Sequence, residues 1–97
     1  MRVHELKIWP AHFRFVETGE KTCEIRKRDR DYRLGDTLWL KEYDPASAKY
    51  SGEEVFVLIT HILGADNSKG VAPGHVALSV RLIPKPNITE IVPPYAS

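Results

Sequence analysis

Polar and apolar residues alternate with a period of two in four stretches of the chain, the signature of half-buried strands. From His4 to Trp9, Leu6 and Ile8 share one face, opposite Glu5, Lys7 and Trp9. From Lys21 to Lys27, Cys23 and Ile25 are expected inward and Thr22, Glu24 and Arg26 outward. From Thr37 to Tyr43, Leu38 and Leu40 set an inner row that Glu42 continues, which places this acid at a rim. From His75 to Ile83, Val76, Leu78, Val80 and Leu82 point inward. A fifth stretch, Val55 to Leu63, is apolar on both faces and reads as a central strand covered on each side. Helical spacing occurs once. Pro10 suits a first helical position, Ala11 to Thr18 continue the helix with His12, Phe13 and Val16 toward the core, and Gly19 ends it.

Strands near 4–9, 21–27, 37–43, 54–63 and 75–83 and one short helix after the first predict a mainly β (α+β) domain. Its sheet of about five to six strands is strongly curved or closed. Asp44–Gly52 and Gly64–Gly74 are expected loops. Four of the seven prolines fall between Pro84 and Pro94. The domain therefore divides into a body over 1–83 and a proline-rich tail over 84–97, either packed along the barrel or loose.

Charge changes this picture at one place. The stretch Lys21–Arg33 holds six basic residues (Lys21, Arg26, Lys27, Arg28, Arg30, Arg33) against three acids (Glu24, Asp29, Asp31), while the whole protein carries a formal charge of only +1. Cations gathered on a near-neutral chain suggest a surface for something anionic, and acids interleaved with bases equally describe a self-paired, solvated loop. The single cysteine and the absence of zinc spacing imply a reducing compartment, no internal disulfide and no metal. An early charged N-terminus and no long apolar run imply no signal peptide and no membrane span. The cytoplasm is the expected location, with no cofactor and with the oligomeric state left open.

No nucleophile elbow, P-loop, dinucleotide fingerprint or H-E-x-x-H occurs. His4, His12, His61 and His75 read as packing or surface residues, and Cys23 as a small core residue. Lys21, Thr22, Glu24 and Arg26 differ, because a glycine turn fixes the start of their short segment. A lysine beside a carboxylate is a possible proton shuttle, and a threonine beside that lysine a possible nucleophile. The same groups equally make a phosphate- or base-binding face, or a structural ion pair.

The segments H-E-L-K-I-W-P (4–10), G-E-K-T-C-E-I-R-K-R-D-R-D-Y (19–32), G-D-T-L-W-L-K-E-Y (35–43) and Y-S-G (50–52) resemble the ASCH-type domains of the PUA-like superfamily, in particular small single-domain bacterial and phage proteins. The resemblance runs from about Val3 to Ile83. It implies a PUA-like pseudobarrel with a cleft between the first helix and the barrel, and an RNA, nucleotide or modified-nucleoside ligand there. One ASCH branch hydrolyses the acetyl amide of N-acetylated cytidine with a lysine, a threonine and a glutamate. Lys21 matches that lysine. The nucleophilic threonine corresponds to Glu24 in this chain, Thr22 matches the other threonine of the pair, and Glu42 is a positional candidate for the glutamate.

Three functions follow as expectations. The first is a binding module for single-stranded RNA or a nucleotide, held by Lys7, Lys21, Arg26, Lys27 and Arg30, with Trp9, Tyr32 or Trp39 stacking on bases. The second is a small amidohydrolase or nuclease acting on a modified nucleoside or RNA, with Lys21 and Glu24 as the proton-transfer pair and Thr22 and Glu42 in secondary roles. The third is an interaction protein whose basic stretch meets an acidic partner.

Overall fold

The structure, a computed structural model, describes residues 1–95. Its elements follow the chain as β1 (Arg2–Ile8), α1 (Pro10–Glu17), β2 (Cys23–Lys27), β3 (Thr37–Asp44), β4 (Lys49–Gly64), β5 (His75–Ile83) and β6 (Glu90–Ile91). The six strands form one sheet in the order β2-β5-β4-β3-β1-β6, curled into a half-barrel. β2, β5, β4 and β3 pair antiparallel, whereas β1 runs parallel to both β3 and β6. The fold is mainly β with one short helix, as the alternation predicts. The expected loop Asp44–Gly52 shrinks to a tight turn, because β4 begins at Lys49.

Alternation places the core on the concave side. In register across the sheet, Leu6 faces Leu40, Leu38 faces Val57, Ile59 faces Val80 and Ile62 faces Leu78. α1 lays Phe13 and Val16 into this concavity. Pro10 opens the helix, since a missing N–H costs nothing in the first turn. Gly19 closes it at φ 82°, a left-handed conformation in which a Cβ is strained, and its N–H bonds the Val16 carbonyl at 3.0 Å. His12 does not join Phe13 and Val16 as expected. It is exposed, because it lies off the stripe that these two define.

The phase of β2 is the reverse of the expectation. Glu24 is buried at 4% exposure and Arg26 is half-buried, whereas Cys23 is exposed and Ile25 is 69% exposed. Cross-strand register explains the inversion. Glu24 stands opposite Leu78 and Arg26 opposite Val76, both concave-side residues of β5, and paired residues share a face. Leu82 keeps its inward phase but is 40% exposed, since β5 runs on past the start of β2 at Cys23.

The described part of the tail is packed along the sheet. β6 pairs with Arg2 and Val3, Val92 is buried, and the Tyr95 N–H reaches the Asp29 carbonyl at 2.6 Å. The last two residues of the tail, 96–97, lie outside the described residues.

A polar hub sits under the loop that leads into β3. Asp36 accepts a hydrogen bond from Arg2 Nε on Oδ1 at 3.1 Å and from the Arg33 N–H on Oδ2 at 3.0 Å, and His4 Nε2 lies 2.8 Å from that same Oδ2. Burial pushes the His4 imidazole below its usual range, against the pull of Asp36. Tyr32 packs its ring 4.6 Å from that imidazole and is buried in the core, where desolvation raises its phenol pKa. It is therefore not free to stack on a base, contrary to expectation.

Candidate functional site

The sheet is open along one seam. β6 covers only Arg2 and Val3 of β1, so the edge of β1 beyond them has no strand partner, and β2 ends the sheet on the other side. The two edges approach each other without pairing. Arg26 spans the gap: its Nη2 donates to the Lys7 carbonyl at 2.9 Å and its Nε to Glu24 Oε2 at 3.0 Å. A side chain thus closes the curve that backbone bonds leave unfinished.

A cleft of about 450 Å³ opens on this seam, lined by Lys7, Ile8, Trp9, His12, Lys21, Cys23, Glu24, Ile25 and Arg26. That volume lies in the range of small-ligand sites. It is built by the end of β1, Trp9 and the first turn of α1, Lys21 in the connection that follows the helix, and β2. Glu24 holds the centre, with its carboxylate between the Lys21 ammonium on Oε1 and the Arg26 guanidinium on Oε2. Lys21 also donates to the Cys23 carbonyl. Both cations keep about a quarter of their side chains in solvent, 27% for Lys21 and 22% for Arg26, whereas the Glu24 side chain keeps only 6%. The acid is fixed and its partners face outward. Each carboxylate oxygen has a further lone pair to offer.

Of the expected site residues, Lys7, Trp9, Lys21, Glu24 and Arg26 come together here. Trp9, 57% exposed, lines the cleft as an accessible aromatic face. Lys27 shares the exposed face of Cys23 and Ile25, on the other side of β2 from Arg26, and lines neither this cleft nor the next one along the seam. Arg30 is buried beside Asp29 and lines that second cleft. Thr22 is exposed and lies outside both cleft linings. Glu42 is half-buried opposite Ile8 and lines neither cleft. Trp39 is half-buried, stacks on Phe56 at 5.7 Å and lines neither cleft, although the Lys41 ammonium of the second lies 5.2 Å from its ring centroid.

Much of the basic stretch is self-paired. Lys21 and Arg26 share Glu24, Arg30 pairs with Asp29, and Arg33 pairs with Asp31. The stretch is not one continuous cationic surface, and only its first residues belong to the cleft.

Sequence reasoning missed Ile8, His12, Cys23 and Ile25 as lining residues, because the strand and helix patterns assign each of them to the core. The retrievable signal was the pairing of β2 with β5: once Glu24 is set opposite Leu78, the exposed side of β2 follows. No helix among the described residues is long and apolar enough to cross a membrane.

Comparison with known proteins adds kinship but no activity. A family model described as "Domain of unknown function (DUF3850)" matches residues 3–80. The uncharacterized 12.9 kDa protein in the GpA 3′ region of Escherichia phage P2 is 38% identical over 61 residues, which are 63% of this chain and 54% of that protein. The chain thus spans about half the length of this curated relative.

Proposed function

The chain belongs to that domain family of unknown function, and we propose that it binds single-stranded RNA or a nucleotide in the cleft around Glu24, in the manner of an ASCH-type, PUA-like domain. One observation carries this reading: a buried carboxylate clamped by two part-exposed cations, in a nucleotide-sized cleft with an exposed tryptophan on its wall. The free lone pairs of Glu24 can accept from a base amino or imino group, and such contacts discriminate among bases because a base without that donor forfeits a hydrogen bond to an ionised acceptor. Trp9 offers a stacking face, worth about 1–3 kcal/mol per base in single-strand recognition. Lys7 and Arg26 supply positive charge for phosphate.

Direct contact between Lys21 and Glu24 favours a second reading, hydrolysis of a modified nucleoside or RNA. In that case Glu24 takes a proton from a water in the cleft as that water adds to the acyl carbon or phosphorus, Lys21 faces the developing negative charge, and Glu24 returns the proton to the leaving nitrogen or oxygen as its bond breaks. Thr22 takes no part, being outside the cleft lining.

The test is a binding titration with mixed-sequence single-stranded RNA beside a turnover assay on RNA and acylated nucleosides. Lys21→Ala is expected to weaken binding at least about tenfold with the melting temperature within about 3 °C of the parent. Glu24→Gln separates the readings: a binder loses affinity or base selectivity, whereas a hydrolase keeps affinity and loses rate. Unchanged binding in both variants would refute the cleft as the site.

A further inference from the structure

A second cleft, of about 580 Å³, continues the seam on the far side of the Arg26 bridge. The first cleft takes the later residues of β1 and the earlier part of β2. The second takes Glu5 to Lys7 of β1 with Arg26, Asp29 and Arg30, and passes over the outer face of the sheet to Lys41 and Tyr50. Lys7 and Arg26 line both. The two clefts are consecutive compartments of one groove, divided by a guanidinium.

Resting on the reading of the first cleft as a nucleotide site, we propose that the ligand is an oligonucleotide of at least two residues, with the linking phosphate over Lys7 and Arg26 where the compartments meet. A mononucleotide leaves the second compartment without an occupant. The charge there suits a phosphodiester: Lys7, Arg26, Arg30 and Lys41 outnumber Glu5 and Asp29, even with Lys41 paired to Glu5 at 3.2 Å and Arg30 to Asp29 at 3.4 Å. The Lys7 ammonium lies 4.3 Å from the Tyr43 ring centroid and has no carboxylate partner among the described residues, so a phosphate meets it without first breaking an ion pair. Arg26 spends Nε on Glu24 and Nη2 on the Lys7 carbonyl, which fixes its plane, while its Nη1 has no protein acceptor among the described residues. At the outer end Tyr50, 48% exposed, provides a second aromatic surface, as Trp9 does in the first compartment. Val92, Pro93 and Pro94 of the tail wall this compartment, so the extended C-terminal segment has a place in the site.

Because longer anions bind any cationic surface more tightly, the test must separate the groove from diffuse attraction. A fluorescein-labelled mixed-sequence hexaribonucleotide is competed by unlabelled mixed-sequence ribonucleotides of one, two, three and six residues. Affinity is expected to rise at least about tenfold between one and three residues and to level off after that. Lys41→Gln should cost at least about fivefold for the trimer and leave competition by the monomer unchanged. Lys27→Gln, which removes an exposed cation outside both compartments, should change neither. Equal affinity for monomer and trimer, with Lys21→Ala still abolishing both, would overturn the two-compartment groove and leave the first cleft standing. Equal losses in the Lys27 and Lys41 variants would overturn it too, by showing diffuse attraction. No binding of the hexamer at all would bring down both readings.

Discussion

Asp36 and Glu24 are carboxylates buried to the same extent, each 4% exposed, and each is held by more than one donor. Their surroundings differ. Asp36 is held mainly from within: His4 lies fully buried against it, Tyr32 packs over that imidazole and the Arg33 N–H occupies an oxygen, while Arg2, whose side chain is 25% exposed, is itself tied to Asp31 and Glu90. Glu24 is gripped by Lys21 and Arg26, whose side chains reach solvent along a cleft. Burial of an acid is therefore no mark of a site by itself. What distinguishes the two is the cleft: Glu24 and both of its cations line one, whereas Asp36, Arg2, His4 and Arg33 line neither.

The sharpest way to break this contrast is to neutralise each acid without changing its shape. Asp36→Asn strands His4 and weakens the anchor of Arg2, so it should destabilise the fold by about 2–4 kcal/mol. For a domain of this size that means a loss of roughly 10 °C or more in melting temperature. Glu24→Gln leaves two cations that can turn to water, and it should cost about 1 kcal/mol or less while impairing ligand binding or turnover. Thermal denaturation of both variants decides the matter. Equal destabilisation would mean that Glu24 is a second structural hub.

Neither buried acid was legible in the sequence, and Glu24 was turned to the wrong face. β5 and the Leu38–Leu40 row of β3 could be read directly, because each alternates against a single well-covered core. β2 alternates as cleanly, but its concave side at the sheet edge is lined by an ion cluster instead of apolar side chains. The rule that turns the more apolar face inward therefore assigned Cys23 and Ile25 to the core and Glu24 to solvent. A strand at an opening obeys the register of its neighbour before it obeys its own hydrophobicity. The pairing of Asp36 with His4 joins positions 32 residues apart, and the approach of Lys7 to Arg26 joins positions 19 apart. Neither leaves a local pattern. Lys41 escaped notice for a related reason, since only the parallel pairing of β1 with β3 sets it beside Lys7.

A smaller effect sharpens the account of the closed hub. The folded state holds His4 below its ordinary pKa through burial, so between that depressed value and about 6.5 the unfolded chain binds more protons than the folded one. Stability from this source is complete above about pH 6.5 and declines as the pH falls through the depressed folded value. Arg2 and Arg30 face the imidazole and disfavour its charge, and Asp36 opposes them. Urea denaturation from pH 7.5 to 5.5 should show the decline, and His4→Gln, whose amide can still reach Asp36, should flatten it. An identical slope in the variant would assign the pH dependence to other groups.

The most direct test of the open site is an amide-resolved NMR titration of the isotope-labelled protein with mixed-sequence single-stranded RNA. The account predicts that perturbations concentrate along the seam, at Lys7, Ile8, Trp9, His12, Glu24 and Arg26, while the amides around Asp36 stay in place. Perturbations confined to the exposed side of β2 and the self-paired loop, at Lys27, Arg28 and Arg33, or none at saturating RNA, would contradict it.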